Sequence, residues 1–127
     1  MRDIRFRGKN INTGEWVYGY FKRNTHGDCY IEDEQGLATM VDPDTVGQYV
    51  CKDAMGNDVY EGDIVRHVYN RHSAKTGKVT GYLVDRYRVY WLESNFVFLI
   101  KPLGEGGAGI NANYIEDWNM VREVNND

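Results

Sequence analysis

Apolar and polar positions alternate with period two along most of this chain, and that period predicts strands. At the start, Ile4 and Phe6 alternate with Asp3, Arg5 and Arg7, the pattern of a strand with one buried face. After a turn at Asn12-Thr13-Gly14, Trp16, Tyr18 and Tyr20 alternate with Val17, Gly19 and Phe21, so both faces of the second strand are apolar or aromatic. A turn over 24–28 leads into the short strand Cys29-Tyr30-Ile31. Glu34-Gln35-Gly36 reads as a hairpin loop before Leu37 to Val41. Pro43 stops that strand because proline cannot donate to a ladder, and Thr45 to Val50 reads as one more short strand.

In the second half, Lys52 to Asp58 is a polar reversal with Gly56-Asn57 at its tip. The run Val59 to Val65 follows, in which Gly62 turns the backbone and Asp63 offers a carboxylate to a nearby amide. Gly77 to Leu92 is long and strand-like, with Gly81 marking a bulge or bend. Glu93-Ser94-Asn95 is a tight turn into Phe96 to Lys101, and Pro102 to Gly109 a glycine-rich loop. A last strand is expected from Tyr114 or Trp118 to Val124. Helical spacing is not sustained over three turns anywhere; 111–121 come nearest, where Asn111, Asn113 and Asn119 are poor helix formers. The pattern predicts an all-β chain: a short-strand meander over 1–51, then 59–124 as an SH3-like small barrel or sandwich, joined by the turn 52–58.

Composition adds a core to that picture. With 42% hydrophobic residues, and Tyr 10, Phe 4 and Trp 3 among them, a folded domain is feasible and dominant disorder is excluded. The net charge of −4 excludes a uniformly basic, histone-like coat, but it is the remainder of segregated blocks. Residues 1–27 hold six basic and two acidic groups, and 28–63 one basic and ten acidic. Residues 64–101 hold seven basic and two acidic, and 102–127 one basic and five acidic. One reading is local neutralisation between neighbouring segments. The other concerns 66–91, where Arg66, Arg71, Lys75, Lys78, Arg86 and Arg88 interleave with His67, Tyr69, His72, Tyr82, Tyr87, Tyr90 and Trp91. Cations beside aromatic rings on a β-surface supply the phosphate neutralisation and base stacking that single-stranded nucleic acid needs.

Motifs for chemistry are thin. Gly104 to Gly109 satisfies G-x-G-x-x-G, but the dinucleotide fingerprint needs a βαβ unit and an acidic residue about 20 positions on; only 18 residues follow Gly109. His67 with His72, or His26 with Cys29 and Cys51, lack the paired close spacings of a zinc site, so no metal is expected. Asp53, Asp58, Glu61 and Asp63 do not fit a calcium loop and read as solvated turn residues. Glu32-Asp33-Glu34 marks an exposed hairpin rather than an acid–base pair. No nucleophile triad has supporting context, so neither a cofactor nor an enzymatic activity is expected. Two cysteines are too few for a disulfide scaffold and read as reduced thiols of a cytosolic protein. The N-terminus lacks the apolar stretch of a signal peptide, and the longest large-apolar run, Phe96 to Ile100, falls far short of the ~20 residues that span a bilayer.

Several segments carry a family resemblance. Val46-Gly47-Gln48-Tyr49, followed by Asp53-x-x-Gly56-x-x-Val59-Tyr60-Glu61-Gly62-Asp63-Ile64-Val65, resembles the hallmark of the YopX family of phage and prophage proteins. The opening Ile4-Arg5-Phe6-Arg7-Gly8-Lys9, the run Thr13 to Gly19 and the run Val41 to Val46 are similar to that family as well. The resemblance covers 1–66; the ending Asp117 to Val124 departs from the family's usual one. It implies an all-β fold, a phage or integrated-element origin and residence in a bacterial cytoplasm, with no biochemical activity to carry over. Gly56, Gly62 and Asp63 suit turns, and Tyr60, Ile64 and Val65 suit a core. The expectation is an accessory protein acting on a protein partner or on itself, with a nucleic-acid-binding barrel using 66–91 as the alternative.

Overall fold

The computed structural model describes residues 5–92, 97–103 and 109–123. Strands dominate it, as the period-two pattern predicts. By its internal contacts the chain divides at Val50/Cys51 into two units. The expected features at Ile4, the turn at 93–95, Phe96, the glycines of 104–108 and the end from 124 lie outside the described residues.

Unit 1 is an antiparallel meander. Its strands are β1 (Phe6–Lys9), β2 (Trp16–Arg23), β3 (Cys29–Glu32), β4 (Ala38–Val41) and β5 (Gly47–Lys52), in the order β4-β3-β2-β1-β5. Between β4 and β5, one 3-10 turn, η1 (Pro43–Thr45), starts at Asp42, whose side chain accepts from the Asp44 amide. The pairing of Phe6 with Gly19 and Gly8 with Val17 fixes which residues share a face. Cys29, Ile31 and Val41 form the core of this unit, with Phe6, Val17, Phe21 and Val46 packed on it. Arg7 departs from the one-buried-face expectation: it is only 4% exposed, its guanidinium 4.1 Å from the centre of the Trp16 ring. The Trp16 ring against the guanidinium helps make that burial tolerable.

In unit 2, the end of β5 turns back as β6 (Asp58–Tyr60), and β7 (Ile64–His72), β8 (Val79–Leu92), β9 (Val97–Pro102), β10 (Ile110–Asn111) and β11 (Val121–Arg122) follow. The last five form an antiparallel sheet in the order β10-β9-β8-β7-β11, whose ends β10 and β11 do not pair with each other among the described residues. Its buried apolar residues are Val59, Tyr60, Val65, Tyr87, Val89, Ile100, Ala112, Ile115 and Met120. The strand expected from Tyr114 is instead one helical turn, α1 (Tyr114–Asp117), and the final strand begins only at Val121. The asparagines explain the difference. The Asn111 side chain accepts from the Asn113 amide to open the turn. Asn119, at φ 53°, takes the left-handed conformation that ends it, which Asn tolerates better than most residues. The turn sinks Ile115 completely into the core.

Candidate binding surface

The longest pairing in the molecule joins β7 to β8, from Ile64 opposite Arg88 out to His72 opposite Val79. Neighbouring strands support only its root. β11 pairs at Val65 and Arg66, while β9 ends where Pro102 meets Tyr87 and the Leu103 amide donates to the Arg86 carbonyl at 3.0 Å. Beyond those points, among the described residues, β7 and β8 run on as a two-stranded ribbon with no third strand. The register jumps from Arg71–Gly81 to His72–Val79, leaving Thr80 as a bulge beside Gly81.

Period two sorts the ribbon into two faces. One carries Arg66, Val68 and Asn70 opposite Arg86, Val84 and Tyr82. The other carries His67 and Tyr69 opposite Asp85 and Leu83. Both faces are open: Tyr82 is 73% exposed, and Val68, Val84 and Leu83 are exposed as well. Aliphatic side chains showing on both sides of one hairpin have no core of their own, which is the composition of a contact surface. At the root, the His67 ring stacks on Tyr69 at 5.1 Å and on Trp118 at 5.5 Å, and Trp118 meets Tyr114 at 4.9 Å. Burial, then the charge and hydrogen bond of Asp85, raise the Tyr69 phenol above its ordinary pKa.

The cations expected to hold nucleic acid fall into two groups. Arg86 grips Glu123 through two hydrogen bonds of 2.7 Å, and Arg66 lies 3.8 Å from the same carboxylate. Arg88 donates to the Gly62 carbonyl at 3.1 Å. Hydrogen bonding to Arg86 holds Glu123 below the ordinary carboxylate range against the upward push of burial, with the charges of Arg86 and Arg66 adding to the effect. Arg71, Lys75 and Lys78 sit at the far end, exposed and without an ion pair among the described residues. Tyr82 shares that end, whereas Tyr87 does not belong to the surface: it is 7% exposed, and its ring is closed to a stacking base.

The residues of the family-like motif take up backbone positions. Gly47 and Gln48 pair with Arg7 and Phe6, and the Tyr49 ring lies under the Arg5 guanidinium at 4.3 Å. Gly56 and Gly62 have φ of 83° and 95°, so each turn needs glycine. Tyr60 is buried and Glu61 half-buried. Asp63 accepts from the Tyr60 amide at 2.8 Å and is 2% exposed. Asp53 is 5% exposed, so neither it nor Asp63 is the solvated turn residue expected of the acids between 53 and 63. Its carboxylate accepts from the amides of Met55 (2.9 Å), Asn57 (2.8 Å) and Arg122 (2.8 Å), and from the Asn57 side chain (3.1 Å). Burial pushes its pKa up, but the bonds from Arg122, Asn57 and Met55 outweigh that and hold it below the ordinary value. Cys51 is a protonated thiol, pushed up to about 11 by burial, then by Glu116 and Asp53. Among the described residues no cluster of His, Cys, Asp and Glu could hold a metal ion, and no helix is long and apolar enough to cross a membrane.

Period two, read on one strand at a time, misses a concavity in unit 1. Arg5, Tyr18, Gly19, Tyr20, Asp33, Glu34 and Gln35 line a cavity of about 310 Å³. At Gly19, with φ 155°, a Cβ would run into the backbone of Glu32 on the neighbouring strand, so that close approach needs glycine. The signal was the spacing Arg5, Arg7, Lys9 against Trp16, Tyr18, Tyr20, which antiparallel pairing of β1 and β2 sets on one face. No family model, no curated protein and no solved structure matches the chain.

Proposed function

We propose that this chain is a non-enzymatic accessory protein that acts by binding a protein surface, its own or another's, through the β7–β8 ribbon. The observation that carries the reading is the unsupported part of that ribbon, with Val68, Tyr82, Leu83 and Val84 exposed across both faces. The YopX-like segments within 1–66 support a phage or prophage origin and a place in the bacterial cytoplasm. Val68 and Val84 face each other across the ribbon, so Val68→Asp with Val84→Asp sets two like charges side by side on one face. That variant is expected to keep the wild-type thermal unfolding midpoint of the sheet within a few degrees, yet lose partners captured from a bacterial host lysate and lose self-association. Equal capture and equal association state in both proteins would refute the reading.

A second reading is nucleic-acid binding by the far end of the ribbon. It is favoured by Arg71, Lys75 and Lys78 standing exposed beside Tyr82. Fluorescence anisotropy of labelled single strands at low salt checks it. Lys75→Ala with Lys78→Ala should weaken binding and reduce the slope of log affinity against log salt by about 1.4. No binding of single strands, duplex DNA or RNA at low salt would sink it.

A further inference from the structure

We infer that the partner of the ribbon is a second copy of this chain, joined edge to edge along β8 about a two-fold axis at Leu83. The inference rests on the protein-binding reading above and names the occupant of the surface. It begins with backbone direction. The Leu103 amide donates to the Arg86 carbonyl, and the Val89 amide donates to the Asp63 carbonyl. In an antiparallel strand, the N–H and C=O of one residue point to the same side. Even-numbered residues of β8 therefore aim their backbone groups at the β9 edge, and odd-numbered ones at β7. Past Leu103, the groups of Val84 and Tyr82 meet no strand among the described residues.

Among the described residues that edge has definite limits. Leu103 closes it at Arg86, and the bulge at Thr80 bends it away at the other end. The usable window is Gly81 to Asp85. Beside it, β8 and the end of β9 leave a groove of about 490 Å³ lined by Val84 to Tyr87, Pro102 and Leu103. Sheet edges that stay single are normally guarded by charge or proline. Within the window, Gly81 to Val84 carry neither, and its one charge, Asp85, stands at the end.

Self-pairing of the whole window permits one register, with Leu83 opposite Leu83 of the second copy. Tyr82 then faces Val84, and Gly81 faces Asp85. Even meets even, so the outward backbone groups of Tyr82 and Val84 bond each other across the axis. Two exposed apolar residues, Tyr82 and Val84, pair with each other, and Asp85 meets no like charge. An antiparallel two-fold contact is also self-complementary without being extendable along this edge, so it closes as a dimer.

Sedimentation velocity at protein concentrations up to about 1 mM tests the pairing. The wild type should dimerise, and Leu83→Lys should weaken association by about tenfold or more, because it sets two ammonium groups against each other. An equimolar mixture of Leu83→Lys and Leu83→Glu should restore the dimer. Val84→Pro should abolish it while leaving the β7–β8 ladder intact, since the Val84 amide faces outward. With oxidised glutathione as the two-electron oxidant, Leu83→Cys should form an intermolecular disulfide, as Cα atoms of a non-hydrogen-bonded pair lie about 4.5 Å apart. Cys29 is buried and Cys51 partly so, so the wild type serves as the control. A strictly monomeric wild type, or a dimer indifferent to Leu83→Lys and Val84→Pro, overturns the inference. If capture of other proteins still depends on Val68 and Val84 in that case, the protein-binding reading stands alone; if it does not, both fall.

Discussion

Asp53 shows how one side chain can be read correctly as a turn residue and still be misplaced. Its neighbours Gly56 and Asn57 announce the reversal, and three of its bonds are local. The bond that draws it out of solvent comes from Arg122, 69 residues away, a partner no local pattern reveals. The acceptor role of Asp63 was legible, because its bond from the Tyr60 amide spans three residues, although its burial was not. Asp53→Ala strands buried donors and is expected to lower stability by about 2–4 kcal/mol, read from urea unfolding. The sign of its pH dependence follows from its lowered pKa. In the unfolded chain Asp53 titrates near 3.8 and in the native protein below that, so its contribution is complete above the unfolded value and disappears as pH falls through the native one. Carboxyl NMR titration should place the native midpoint under 3.8. Asp53→Asn should flatten the loss of stability in that acid window, and an unchanged acid limb would contradict the role.

At the level of elements, alternation identified β2, and the run Gly77 to Leu92 read as the long strand that became β8, because a two-sided surface writes itself directly into sequence. It did not reveal where the flanking strands stop, at Arg66 on one side and Arg86 on the other, beyond which β7 and β8 pair only with each other among the described residues. Their position depends on β9 and β11, which arrive late in the chain. The same limit governs 111–121: three asparagines discourage a long helix, yet two of them stabilise a single turn around buried Ile115. The exposed Val79-to-Val84 stretch has an additional consequence as a segment. Uncharged, β-prone and free of proline, it should be the first part of the sheet to seed aggregation when the protein is concentrated. Val84→Pro should delay the rise of thioflavin fluorescence, and an identical lag in both proteins would count against it.

On the scale of the whole molecule, the charge blocks resolve partly into pairs inside each unit. Lys22 meets Glu32 at 2.9 Å in the first unit, and Arg86 and Arg66 share Glu123 in the second. Each pair joins a basic block to an acidic one, the local neutralisation that segregation implied, and it consumes cations that sequence alone offered to a polyanion. The bond from Arg122 to Asp53 has a further consequence, in time rather than space. Unit 1 closes through short hairpins from β1 to β4, whereas unit 2 must close a loop of 69 residues before its first turn is anchored. Loop closure of that length carries a larger entropic cost and slows folding. On a ribosome the first unit can therefore settle while Asp53 still waits for a residue not yet made. Pulse-labelled hydrogen exchange during refolding should find β2–β3 amides protected before that of Arg122, and simultaneous protection would show that the two units fold as one.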